Sequence, residues 1–332
     1  MPMPMPILPQ SKTLPDAQML RIHAEKFMLT RHRQALQLLL LGLIATAVLF
    51  CLYLVFLRTA PGQRFDDIAF EGRKATRLPV RRLATFLVHI LTVPSVLLGC
   101  VWIAADTVRR GWWRTGVVAL ISVALTVVFA RLLKGALIRP ELVELAYSSS
   151  RNTLPSGHTA AVMAVLLAAV SACQASIRVF LAPVAAVLAA IYMTALIGSG
   201  WHRSSDVVAG MALAVVVASI TTATRLLLFE DSANSVGNPG WLEQNLAVPV
   251  QRVLLRPFRV AGLVSLGAVV MLFFLQNPTS NPSHSLLSFI VAVLTCCLLG
   301  MVSVFVFAEI LGCPRLPSEP ETEIETLSRG AR

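Results

Sequence analysis

The sequence predicts an all-α, polytopic transmembrane helix bundle, and three observations carry that prediction. Of 332 residues, 56% are hydrophobic and only 14% are charged, against about 25% charged in a soluble domain. The mean hydropathy is +0.74. Apolar runs of membrane-crossing length recur along the chain. Each crossing needs about 20 mainly apolar residues in a helix, because inside hydrocarbon every backbone N–H and C=O must find its partner within the segment.

Eight such runs are read, at residues 35–57, 84–105, 116–138, 158–175, 179–200, 206–229, 260–276 and 285–311. Residues 1–34 open with a Pro-rich stretch and carry Lys12, Arg21, Lys26, Arg31 and Arg33 ahead of the first run. They are read as a cytoplasmic N-terminal tail followed by a retained span, not as a signal peptide. Residues 35–229 form a six-span core, in which Pro94 and Pro183 predict kinks. Residues 230–258 are a polar linker containing Gly and Pro, 259–312 a two-span C-terminal appendage, and 313–332 an acidic tail whose composition predicts disorder.

The formal charge is +11 and the isoelectric point about 10.1. With so much apolar sequence, the basic excess points to anionic lipid headgroups and cytoplasmic loops. No basic stripe interleaved with aromatics stands outside the apolar runs, so nucleic acid is excluded as a partner; the sequence names no protein partner. Loop charge weakly favours cytoplasmic N- and C-termini. The first loop works against that bias with residues such as Arg58, Arg77, Arg81 and Arg82. Its stretch of Gln63, Arg64, Asp66, Asp67, Arg73 and Lys74 reads first as a solvated charged loop, with closure over a headgroup as the sharper alternative. The six cysteines include no Cys-x-x-Cys pair, which gives no support to a zinc knuckle or a disulfide framework.

Counting spans brings distant residues together. Lys134 to His158 links the third and fourth runs, and Ser199 to Asp206 links the fifth and sixth. Exactly two spans separate these stretches, so both lie at the same membrane face. Arg139, Ser156, His158, His202, Arg203 and Asp206 therefore share one end of the bundle. His202 and Asp206 stand four apart, on one face of a helical start. A carboxylate that accepts from one imidazole nitrogen leaves the other as a nucleophile. Pro155-Ser156-Gly157-His158 runs straight into a helix, whose first N–H groups favour a phosphate. Lys134 and Arg139 add positive charge, and His158 is placed to protonate a leaving oxygen. Taken singly, each residue also has an ordinary structural reading: a helix cap for Asp206, a turn for Pro-Ser-Gly, a snorkelling cation for Lys134. Dense polar groups beside a bilayer are more often functional.

On these residues the chain resembles the type 2 phosphatidic acid phosphatase superfamily, which also holds glucose-6-phosphatase and vanadium haloperoxidases. The family pattern is a Lys followed by Arg-Pro, then Pro-Ser-Gly-His, then Ser-Arg followed by His and Asp. Here Lys134 with Arg139-Pro140, Pro155 to His158, and His202 with Asp206 correspond to it. The wording from Gly200 to Asp206 looks most like actinobacterial members. The resemblance implies a phosphoric ester or diphosphate hydrolase that needs neither metal nor cofactor. His202 is then the nucleophile, Asp206 its orienting partner and His158 the acid. Lys134, Arg139, Ser156, Gly157 and Arg203 hold the phosphoryl oxygens.

Two departures stand out. Lys134 lies closer to Arg139 than the family Lys does, and the family's Ser-Arg aligns with Ala195 and Leu196. Arg203 and Arg151 are the candidates to supply the absent guanidinium. The expected activity is hydrolysis of a polyprenyl diphosphate or a glycerolipid phosphate at the outer face of the plasma membrane. A catalytically degenerate lipid-phosphate binding or transport protein is the alternative, and vanadate-dependent oxidation is disfavoured because members with that chemistry are largely soluble.

Overall fold

The computed structural model describes residues 14–143, 152–229 and 282–312. Among the described residues there are eight α-helices and no strand. They are α1 Leu14–Leu52, α2 Ala60–Gly72, α3 Leu78–Arg109, α4 Trp113–Ala136, α5 Gly157–Ala172, α6 Ala175–Gly198, α7 Ser204–Leu228 and α8 Pro282–Ile310. The protein is an all-α polytopic bundle. Among the described residues, six helices are long and apolar enough to cross a membrane, contributed by α1, α3, α4, α6, α7 and α8. The fourth predicted run is α5, apolar but only 16 residues long. The predicted seventh run, 260–276, lies outside the described residues, as do the linker and the acidic tail.

Packing is concentric. Helix α5 is buried almost all round, between α3, α4, α6 and α7. Helix α7 packs on α1, α4 and α5. In their most apolar stretches, 72% of α7 is buried against 17% of α1 and 11% of α3, so α1 and α3 turn their Leu and Val side chains outward. Lipid tails are as apolar as leucine, so close backbone approach and dispersion must hold such helices together. The core accordingly uses many alanines, among them Ala164, Ala168, Ala182, Ala186, Ala189 and Ala214. Helix α8, from the predicted appendage, lies along α6 and α2.

The first loop is not a solvated coil. A π-helical turn at Tyr53–Leu57 ends α1, and α2 follows at once. Thr59 caps α2 by accepting from Gly62 N at 3.1 Å, with Pro61 in the first turn, where its missing N–H costs nothing. Gln63, Asp66 and Asp67 on α2 are buried, and only Arg64 of that turn stays exposed. The charged run that reads as a loop is therefore an amphipathic helix whose polar side faces the protein.

Candidate active site

The site is built where the starts of α5 and α7 meet. Ser156 caps α5, its Oγ accepting from Thr159 N at 3.3 Å and Thr159 Oγ1 at 3.0 Å. Its own N–H donates to the backbone oxygen of Asp206 at 2.9 Å, which zips the two helix starts together. Gly210, one turn along α7, permits that contact: a Cβ there would stand 2.5 Å from Ser156 O. The N-terminus of α5 opens onto free space, since a Cβ on Gly157 would meet nothing within 4 Å. Two helix N-termini side by side make this end of the bundle favourable for an anion.

His202 lies between an acid and a second histidine. Its Nδ1 is 3.6 Å from Asp206 Oδ2, and its Nε2 is 3.4 Å from His158 Nδ1. Asp206 is fully buried, and Oδ2 also accepts from Thr153 Oγ1 at 2.6 Å and from Arg203 N at 3.1 Å. His202 Nδ1 and Asp206 Oδ1 are buried without hydrogen-bond partners, so the pair is poised a few tenths of an ångström beyond bonding distance. Such contacts commonly tighten when a substrate arrives. Gly200, at φ +76°, makes the turn that carries His202 back toward α5. The Trp201 ring stands edge-on to His158 at 5.2 Å and to His89 of α3 at 4.7 Å.

Helix α2 closes the site from the side. Asp67 Oδ1 accepts from Arg203 Nε at 2.6 Å and lies 3.8 Å from Arg139 Nη2, so one carboxylate oxygen faces both guanidinium groups. Asp66 receives the start of α7: Ser204 Oγ donates at 3.1 Å, Ser205 N at 3.2 Å, and Ser205 Oγ donates to the other oxygen. Burial pushes the Asp66 carboxyl up to about 6; the charge of Asp206 adds to the rise, and Arg203, Ser205 and Arg139 oppose it. Gln63 reaches across to the segment after α4, donating to Pro140 O at 2.7 Å and accepting from Leu142 N at 3.3 Å. Arg139 is thus held from both sides, yet its Nη1 is buried with no partner.

Residues 111–229 match the family model described as the PAP2 superfamily. The match spans about a third of the chain, and within it this protein is similar to the type 2 phosphatidic acid phosphatases. No curated protein and no solved structure gave a significant match. Proteins of that superfamily are generally phosphatases acting on phosphoesters, and the matched segment here lies among helices of membrane-crossing length. The PAP2 segment runs from the α3–α4 turn to the end of α7 and holds each site residue predicted from sequence. It leaves out α2, which bears Asp66 and Asp67.

The PAP2 motif residues occupy one end of the bundle, as the span count requires. Lys134 sits half-buried in the last turn of α4. Asn152 ties that turn to the Pro155–His158 segment, its Nδ2 donating to Lys134 O at 3.2 Å, Leu137 O at 2.8 Å and Leu154 O at 3.0 Å. Leu196, at the position of the family arginine, is wholly buried in the apolar core, whereas Arg203 stands beside His202 and is 6% exposed. Arg151 lies outside the described residues. Sequence reasoning passed over Asn152, Thr153 and Trp201, and read Asp66 and Asp67 as solvated. The signal for the two aspartates was present: a pair of carboxylates in an otherwise basic loop, beside a site short of counter-charge for its arginines.

Proposed function

We propose that this protein is a membrane lipid-phosphate phosphatase that hydrolyses a polyprenyl diphosphate or a glycerolipid phosphate through a phosphohistidine. The observation that carries the reading is His202 held between Asp206 and His158. Nε2 of His202 attacks phosphorus while Asp206 accepts from Nδ1–H and stabilises the imidazolium that forms. The bond from phosphorus to the leaving oxygen breaks, its electron pair stays on that oxygen, and His158 delivers the proton. Arg139 Nη1, Lys134, Ser156, the Gly157 amide and Arg203 neutralise the equatorial oxygens, where charge spreads in the transition state. Water, deprotonated by His158, then releases inorganic phosphate and regenerates His202. This route uses protein side chains alone. We place the protein in the plasma membrane with both termini cytoplasmic and the site facing outward, where the lipid tail lies among the helices.

A second reading has its own support. Leu196 removes a guanidinium that the family pattern supplies, and its burial in the core leaves that position unable to bind an anion. A protein that holds a lipid phosphate without cleaving it fits that loss. The two readings separate in one assay: phosphate release in detergent with chelator from prenyl diphosphates, phosphatidate and phosphatidylglycerophosphate, wild type beside His202→Ala. The phosphatase reading expects release that falls at least about 1,000-fold in the variant while ligand binding survives. Wild-type protein that binds these lipids and releases nothing establishes the binding protein.

A further inference from the structure

A cavity of about 470 Å³ opens beside the site, between the first turns of α3 and the end of α6. That volume is in the range of small-molecule pockets. Its α3 wall is one helical stripe: Leu78, Arg81, Arg82, Thr85, Phe86 and His89, at spacings of three, four, seven, eight and eleven from the first. Ser199 supplies the other wall. Arg81 is half-buried and Arg82 exposed, and among the described residues no carboxylate pairs with either guanidinium. This differs from Arg139 and Arg203, which share Asp67.

The direction of the reaction decides what such a cavity would hold. Displacement at phosphorus is in line, so an attack by His202 sends the leaving group to the opposite side, where His158 protonates it. The Trp201 ring stands against both the His158 ring and that of His89, which lines the cavity. The acid that protonates the leaving group thus adjoins, through these rings, the cavity that bears Arg81 and Arg82. An alcohol has no use for two guanidinium groups, whereas a phosphomonoester does. Phe86 on the same stripe, 58% exposed, offers a surface for an isoprenoid chain.

Resting on the phosphatase reading for this direction, we infer that the cavity is a subsite for an anionic leaving group: the lipid monophosphate left when a lipid diphosphate loses its terminal phosphoryl group. The P–O bond of the anhydride breaks and the N–P bond to His202 forms. The departing oxygen keeps the electron pair, takes the His158 proton and remains on the lipid phosphate beside Arg81 and Arg82. Specificity for a diphosphate then comes from α3, outside the motif residues.

The test is equilibrium binding by the full chain in detergent, carrying His202→Ala so that no ligand is consumed. The probes are a C15 prenyl diphosphate and the C15 prenyl monophosphate. The diphosphate should bind at least about tenfold tighter, roughly one charge-assisted hydrogen bond. Adding Arg81→Ala with Arg82→Ala should weaken both probes at least about tenfold, because the phosphate next to the lipid sits beside these arginines in each. Equal affinities before the arginines are removed, or no loss for either probe afterwards, overturns the subsite. If the double variant does not fold, Arg82→Glu at the exposed position reads the same loss. Phosphate release by wild type is scored separately. Binding that depends on the arginines, without turnover, refutes the catalytic reading and leaves the cavity a phosphate-binding site with no leaving group. Turnover without that dependence refutes the subsite alone.

Discussion

The two ends of the bundle use the same residue type in opposite ways. At the proposed catalytic end, Arg139 and Arg203 face Asp67, and Arg139 keeps a buried N–H unspent. At the far end, Arg109 and Arg110 pair with Asp106, whereas Arg31, Arg178 and Arg225 donate largely to backbone carbonyls. Arg178 is wholly buried and donates four bonds of 3.0 Å, to Val170, Cys173, Leu311 and Gly312. Arg31 donates to Leu226 and Phe229, and Arg225 to Thr115 Oγ1 and Ser171 O. Helix polarity explains the division. Helices α5 and α7 both start at the catalytic end and finish at the far end. Their N-termini attract an anion, and their C-terminal carbonyls attract guanidinium groups. An arginine whose donors are all taken by carbonyls is a staple. One beside a helix N-terminus, with its charge balanced and a donor to spare, is equipped for a phosphate.

Substitutions at the two ends should therefore fail in different ways. The largest effect is expected for Arg139→Gln, which removes the unspent donor: kcat/KM for phosphate release falls about 100-fold or more, with the melting temperature in detergent nearly unchanged. A variant that melts early and keeps its specific activity would turn Arg139 into a second staple. Next comes Arg178→Met, which strips four carbonyls of their donor at similar side-chain length. Its expected cost is about 3 kcal/mol of stability, visible as a lower melting temperature, with kcat per folded molecule preserved. Loss of turnover without loss of stability would break the comparison at its far end.

The smallest effect is one of pH. Asp66 has a folded value of about 6, above the unfolded carboxylate value of about 3.9. Because the folded value is raised, the stability this group contributes is fully present below the unfolded value and is lost as pH rises through about 6. Acidification from pH 7.5 to 5 should raise the melting temperature of the wild type relative to Asp66→Asn, in which this contribution no longer titrates. Parallel pH profiles for the two proteins would show that Asp66 does not titrate in that window.

The motif residues were legible because their chemistry is local. Pro155 to His158 and His202 to Asp206 each lie within one turn, and span parity alone puts both at one end. Asp66 and Asp67 were not legible. Their charges looked solvated because nothing along the chain says that α2 folds against the start of α7, well over a hundred positions away. The role of Arg178 was hidden for the same reason: two of its carbonyl partners, Leu311 and Gly312 just after α8, are as distant in sequence.

The sequence by itself determined the fold class, most of the spans and the residues gathered at the catalytic end. Those follow from hydropathy, from the need to satisfy backbone groups within each helix, and from counting. Only the tertiary structure decided which charges are spent and which are available. That depends on what stands within about 3 Å of each donor, and such neighbours come from helices remote in the chain.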